Sequence, residues 1–331
     1  MSTSTEPVSA ETPYAVPMSV QSSIDVVLRE QLLRDPKAIL MGCHPLEDWV
    51  DEFGPHRVRT CAISEPAMVG MAVGAAVRGW HPIVDLVRSS FAFVAADQII
   101  NQAAKLRYIS GGQYHLQLTL RASTRTELGL AAQHEQTPFG VFMQSPGLKV
   151  VVPGTTDDSG ALLRASFDDP NPVIFFESPQ LAPGPADADP VGDDPAIGTA
   201  RRLRAGTQVT VVGIGAGVTL ALGALDRLTA EGIDAEVIDL RSLVPLDADA
   251  VRESVRRTGR LLVVEEGPAG SAAAAEVIAR VCADQETFCR LRAPAARVTA
   301  AAVPMPFNPG LERAALPDTD AVLAAVRGLL G

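Results

Sequence analysis

From residue 18 onward the chain repeats one grammar: a short apolar run, a segment of helical period, then another apolar run. KAILMGC, VRTCAIS, HPIVDLV, HLQLTLR, LKVVVPG and PVIFFES have the length of buried strands. Between them lie MSVQSSIDVVLREQLLRDP, PAMVGMAVGAAVRG and FAFVAADQIINQAAKLRYISGG, which have the length and spacing of helices. Parallel strands cannot be joined by tight turns, and a helix is the usual crossover. The grammar recurs after residue 207, where TQVTVVGIG, DAEVIDL and RLLVVEEG alternate with VTLALGALDRLTAEG and LDADAVRESVRRTG. It predicts an α/β protein of two mostly parallel sheets, each covered by helices. Ser22 or Ser23 is the expected N-cap of the first helix, Gly232 closes a later one, and Asp247 opens and Gly259 closes another. The intervening stretch around 178–206 is rich in Pro, Asp, Gly and Ala and lacks either period. The expected division is a disordered arm over 1–17, one domain over 18–180, a linker over 181–206 and a second domain over 207–331.

Composition narrows the function classes. Twenty-eight basic residues against thirty-nine acidic ones leave a formal charge of −11 in 331 residues, and aromatics are only 5%. Such a chain is poorly suited to nucleic acid or an anionic membrane. Cys43, Cys61, Cys282 and Cys289 form neither a C-x-x-C pair nor a zinc-finger spacing. This argues against a disulfide scaffold and for a reducing compartment. The start is polar rather than signal-like. The uncharged stretch Ala205 to Leu225 is long enough to span a bilayer, but its glycines suit a strand, turn and helix start better. A soluble, cytoplasmic protein is expected.

Glu65 is the residue with most to say. It lies between VRTCAIS and Pro66, and proline favours the first helical position. Glu65 should therefore sit at the carboxyl rim of a sheet, where open α/β sheets bind ligands. The helix after it carries Gly70 and Gly74 among small residues, so another backbone or a cofactor can approach it closely. Alone, Glu65 could equally be a surface group that stabilises a helix N-terminus.

Read together, Glu65, Gly70, Met71, Gly74 and Ala75 match the E-x4-G-Φ-x-x-G-Φ pattern of thiamine-diphosphate enzymes, with Ala75 a weak second Φ. ISEPAMVGMAVGAAVRGWHPIVDL, FAFVAADQIINQAAKLRYISGGQ, LAAQHEQ, SPGLKVVVP, AEVIDLRSLVPLD and ALPDTDAVLAAVRGLL agree with it in collinear order. From about Met18 to its C-terminus the chain resembles the β subunit of the thiamine-diphosphate-dependent decarboxylating component of 2-oxo-acid dehydrogenase complexes, in the transketolase-like superfamily. The resemblance implies a pyrimidine-binding domain followed by a transketolase C-terminal-like domain. It implies that Glu65 hydrogen-bonds N1′ of the cofactor's aminopyrimidine and promotes the imino tautomer that deprotonates thiazolium C2. It implies that Phe91 stacks on that ring, that Ile63 and Val87 line it, and that His134 assists proton transfer when the acyl group passes to a lipoyl dithiolane. His44, His56, His81 and His115 gain no comparable role.

The resemblance also implies what lies elsewhere. The chain has no G-D-G followed by a spaced Asn, so the Mg²⁺ that anchors the diphosphate is expected on an α partner, with the cofactor at the α–β junction of an α2β2 heterotetramer that also contains a β–β contact. A potassium ion held by oxygens of Leu118, Ser166, Phe167, Asp169 and Asn171 is a weaker expectation. GIGAG, Gly213 to Gly217, imitates a dinucleotide fingerprint, but Val218 stands where the third glycine belongs. The substrate side departs from relatives: ASTRTELG replaces a glycine-rich loop, Glu135 follows His134, FGVFMQ replaces E-A-W-F-A-H, and GPAGSAAAAE follows Glu266. The expected activity is cleavage next to a carbonyl, with acyl or ketol transfer to a lipoyl domain or carrier-protein thiol, in a specialised pathway. The C-terminal subunit of a split transketolase and a non-catalytic interaction subunit are the alternatives, and a nucleotide-binding oxidoreductase is a distant one.

Overall fold

The computed structural model describes residues 20–43, 46–124, 129–191, 196–270 and 272–331. The arm expected over 1–17, His44, part of ASTRTELG and Asp194 of the linker lie outside them. The strands are β1 (Ala38–Gly42), β2 (Val58–Thr60), β3 (His81–Arg88), β4 (Thr119–Ser123), β5 (Lys149–Val151) and β6 (Val173–Glu177). They continue with β7 (Arg201–Arg204), β8 (Val209–Ile214), β9 (Ala235–Asp239), β10 (Ser242–Val244), β11 (Leu261–Pro268) and β12 (Ala296–Ala300). The first sheet has seven strands in the order β10-β5-β6-β4-β3-β1-β2, and the second has five, ordered β12-β11-β8-β9-β7.

Both sheets are parallel except at one edge each. β10 pairs antiparallel with β5, and β7 pairs antiparallel with β9. The structure corrects three expectations at this level. Residues 201–204, read as linker, form an edge strand of the second sheet, because Arg201 and Leu203 turn inward while Arg202 is exposed. Ser22 and Ser23 lie inside the first helix, Val20–Arg34, rather than at its N-cap. Asp247 does cap its helix, accepting from the Ala250 N–H, and Gly259 closes it in the left-handed conformation. The long helix expected over FAFVAADQIINQAAKLRYISGG is broken into a 3-10 turn (Ser89–Phe93), a π-helical stretch (Gln98–Ala103) and a short α-helix (Ala104–Ile109).

GIGAG has a packing explanation. A Cβ on Gly217 would lie 2.2 Å from the Val264 carbonyl oxygen, and one on Gly213 would lie 2.5 Å from the Val218 side chain. These glycines let the helix Ala216–Ala230 settle onto β8 and β11. The uncharged stretch long enough for a membrane span is this strand, turn and helix; among the described residues no helix is long and apolar enough to cross a membrane.

The two sheets share a core. One cluster joins Ile174 and Phe176 of the first to Val212, Ile214 and Val263 of the second. A buried polar network crosses the same boundary. Asp158, wholly buried, takes Arg201 Nη1 at 2.8 Å and lies 3.3 Å from Arg241 Nη1. Asp239 accepts from the Gly154 N–H at 3.0 Å and the Arg241 N–H at 2.9 Å. Burial, then the neighbouring Asp158 charge, pushes Asp239 up to about 7 from an ordinary 3.8. Between those values the unfolded chain has released this proton while the folded chain keeps it. The group's favourable contribution is therefore complete below about pH 4 and is lost as pH rises through 7.

Two measurements check these readings. Gly217→Ala should destabilise the chain by more than the ~1–3 kcal/mol of ordinary overpacking, since the clash is with backbone, as read by denaturant unfolding. Asp239→Asn, which removes the titrating proton and keeps one of the two acceptor oxygens, should lower stability but flatten its fall between pH 4 and 7; an unchanged pH profile would contradict the assignment.

Candidate active site

The carboxyl ends of β1, β3, β4 and β6 form a rim, and its geometry starts from a buried charge network. Arg121 on β4 donates from Nη1 to Asp85 on β3 at 2.7 Å and from Nη2 to Glu177 on β6 at 2.5 Å. All three side chains are buried. Burial opposes the charge on Arg121, but Asp85 and Glu177 outweigh it and hold the guanidinium protonated. Burial raises Glu177. The signal for this triad is present in the sequence: each charge interrupts an apolar strand, in HPIVDLV, HLQLTLR and PVIFFES, and a lone charge in a buried strand needs a partner. A sequence reading centred on Glu65 passes it over.

The triad shapes the turn that ends β3. The second carboxylate oxygen of Asp85 accepts the Val87 N–H at 2.8 Å, and Val87 adopts φ +64°. A β-branched residue there is strained, and such strain persists only where surroundings fix it. The pairing of β3 with β4 shifts register between Asp85 and Arg88. The chain then turns into Ser89–Phe93, which carries Phe91.

His134 reaches the same place from a different loop. Ser89 donates its hydroxyl to the Gln136 carbonyl, and Gln136 N–H donates to Ser90 Oγ at 3.3 Å. These bonds stitch the Phe91 turn to the His134 loop, in which Ala131 has φ +65° and its carbonyl accepts from His134 and Glu135 N–H. The Phe91 and His134 rings meet edge to face, with centroids 5.4 Å apart.

Glu65 is the first residue of the helix Glu65–Val77, with Pro66 just inside it, as expected. It is 6% exposed, and no donor among the described residues bonds its carboxylate. The Cys43 thiol, at the end of β1, marks where the rim converges: burial raises it, followed by the charges of Glu65 and Asp85. Ile63 is 81% exposed among the described residues. Gly70 is occupied internally, since a Cβ there would come 3.2 Å from Gln98 Oε1, whereas Gly74 has open space before it. Of the remaining histidines, His81 is structural, its Nδ1 2.6 Å from Asp35 Oδ2.

Beyond His134 lies a cleft of about 500 Å³ between the two halves, with Glu135, Glu265 and Glu266 among its walls. Burial pushes Glu265 up to about 7, although its carboxylate accepts the Ala274 N–H. Residue spacing along the chain gives no sign of this acid-lined cleft.

Among the described residues no three His, Cys, Asp or Glu side chains gather to hold a metal. Three of the carbonyl oxygens expected to bind potassium also accept a protein donor. Phe167 O accepts from Gln117 Nε2 at 2.6 Å, Ser166 O from Thr119 Oγ1 at 3.1 Å, and Leu118 O from Val173 N–H at 2.9 Å. Asp169 is paired with Lys149 and accepts from Asn171, and Asn171 Oδ1 accepts from Arg107. These bonds tie the loop to its neighbours.

The pyrimidine-binding domain of transketolase matches residues 25–185, and the transketolase C-terminal domain matches 198–322. A split-gene transketolase, described as an inactive beta4 tetramer, superimposes with a TM-score of 0.77 at 22% identity, covering 95% of this chain and 98% of that one. The fold is thus that of the transketolase-like, thiamine-diphosphate-dependent proteins. Within them, the chain belongs to the family of pyruvate dehydrogenase E1 component β subunits. It is 39% identical over 323 residues to the one from Rhizobium meliloti, covering 94% of this chain and 70% of the relative. It is 37% identical over 319 residues to that of Rickettsia felis (94% and 97% covered), and 36% identical over 324 residues to mitochondrial subunit beta-1 of Arabidopsis thaliana (93% and 88%).

Replacing potassium by sodium should leave the thermal midpoint unchanged. A filled potassium site at a hundred times its dissociation constant would instead add about 2.7 kcal/mol, readable as a potassium-specific rise in midpoint.

Proposed function

We propose that this chain is the β half of a thiamine-diphosphate-dependent enzyme that cleaves a 2-oxo acid next to its carbonyl and passes the acyl unit to a lipoyl or carrier-protein thiol. The observation that carries this reading is Glu65: a buried carboxylate on a sheet rim, with no donor among the described residues to satisfy it. A ring nitrogen that shares a proton with this carboxylate would supply the partner it lacks among the described residues. Bound thiamine diphosphate supplies the carbon nucleophile and electron sink for the cleavage.

The chain's own residues divide the remaining work. Glu65 holds the proton shared with N1′ of the aminopyrimidine. Phe91 offers an aromatic face, with its orientation fixed by the Ser89 and Ser90 bonds. Val87 and Ile63 exclude water from the ring's surroundings, which strengthens the hydrogen bond at Glu65. His134, packed edge-on against Phe91, is placed to exchange a proton with the acceptor thiol or leaving group. The acidic cleft beside it is the candidate path for the acceptor.

The diphosphate and Mg²⁺ belong to an α partner in this reading, in an α2β2 assembly with a β–β contact. Met71, half-exposed, and Gly74, with open space before it, lie three residues apart on the helix that begins with Glu65, and the exposed Ile63 stands just ahead of it; these suit a partner that approaches closely. The cytoplasm is the proposed location. A split transketolase is the weaker reading: that likeness rests on fold at 22% identity, against 36–39% for the pyruvate dehydrogenase subunits. Assaying the α–β pair against 2-oxo acids and ketose phosphates separates the two.

Glu65→Gln should keep the fold and lower turnover by ~10²–10⁴, measured on the α–β complex with cofactor saturating. Near-normal turnover in that variant would overturn the proposal.

A further inference from the structure

Two of the four cysteines meet at the rim. β1 and β2 are parallel, with Leu40, Met41 and Gly42 opposite Val58, Arg59 and Thr60. The next pair in register is Cys43 and Cys61. The ladder bond continues there, since Cys61 N–H donates to the Gly42 carbonyl at 2.7 Å. Adjacent strands lie roughly 4.8 Å apart, inside the range of about 4.4–6.8 Å over which Cα atoms can be bridged by a disulfide. The two side chains also share a face. Ile39 and Met41 pack in the cluster under the helix Glu65–Val77, while Leu40 and Val58 pack in the other; Cys43 and Cys61 both rest against the first of these. Both are half-buried free thiols.

We infer that Cys43 and Cys61 form a reversible disulfide that switches off the site at Glu65. The inference rests on the placement of Glu65 in the proposed function, but the bond itself rests on strand register alone.

The chemistry balances with a hydroperoxide as oxidant. One thiolate attacks the peroxide; the O–O bond breaks, water or an alcohol leaves, and that sulfur becomes a sulfenic acid. The second thiol attacks it, the S–S bond forms, and water leaves with the second thiol's proton. Two thiols have given up two electrons, and a reducing dithiol returns them. The order of attack is set by the charges nearby. Burial raises both thiols, but Cys43 also faces Glu65 and Asp85, whereas Arg59 acts in favour of the Cys61 thiolate. Cys61 is therefore the first to react and Cys43 the resolving thiol. The bond would fix the segment 61–64, which carries Ile63 and leads directly into Glu65. A displacement of ~1 Å at a reacting group can cost about a hundredfold in rate.

The test uses the α–β holoenzyme treated with hydrogen peroxide, without added reductant. Peptide mass mapping should find residues 43 and 61 cross-linked, with turnover reduced about a hundredfold and restored by dithiothreitol. Cys43→Ser and Cys61→Ser should each abolish the cross-link and the reversible inhibition, while Cys282→Ser and Cys289→Ser should not. Absence of the cross-linked peptide would overturn the inference, as would a cross-linked enzyme with full turnover or inhibition that persists in Cys43→Ser. Failure of the functional reading would look different: the untreated complex would lack activity on 2-oxo acids, whatever its thiols do.

Discussion

The rim of the first sheet depends on one buried ionic cluster, Arg121 between Asp85 and Glu177. Three charges in the interior are stable only together; removing one would strand the others, at a cost of several kcal/mol. The arrangement ties the ends of β3, β4 and β6 and leaves one Asp85 oxygen to hold the Val87 N–H. The left-handed turn at Val87, the 3-10 turn behind it and the position of Phe91 all depend on that oxygen. A hydrophobic substitute for the cluster could pack equally well, yet it would offer nothing to hold that turn.

The same logic of one group serving two ends recurs around it. Ser89 and Ser90 join the Phe91 turn to the His134 loop, so the aromatic ring and the imidazole are placed by hydroxyls on either side of a single peptide bond. The helix Glu65–Val77 has two glycines with opposite fates: Gly70 is consumed by Gln98, and Gly74 is left open. Beneath, Asp158 and Asp239 bind the two halves of the chain, and Gly154 permits the approach that Asp239 requires. The cleft beside His134 owes its existence to that fixed relation between the halves.

Much of this is legible in the residues. The alternation of strand and helix names the fold class, the Glu-Pro junction places Glu65 at a helix start, and Asp247 and Gly259 bound their helix as read. Other features are hidden for identifiable reasons. Arg201 to Arg204 look like loop because an edge strand of alternating Arg and Leu carries too little apolar signal. The helix after Phe91 reads as continuous because its composition is helical throughout, yet its 3-10 segment follows the turn at Val87 and its π segment begins at Gln98, which lies against Gly70. GIGAG suggests a nucleotide site, yet its glycines answer to Val264 and Val218.

The sequence by itself determined the local chemistry: for most segments, whether strand or helix forms, where a carboxylate begins a helix, and which family pattern surrounds it. Those properties depend on residue type and short-range spacing, which a linear reading contains. Only the tertiary structure decided that Phe91 and His134 touch, that Arg121 pairs with both Asp85 and Glu177, and that Cys43 stands opposite Cys61. Each of these joins residues 18 to 92 positions apart, and strand order and register, set by the packing of the whole core, are what bring them together.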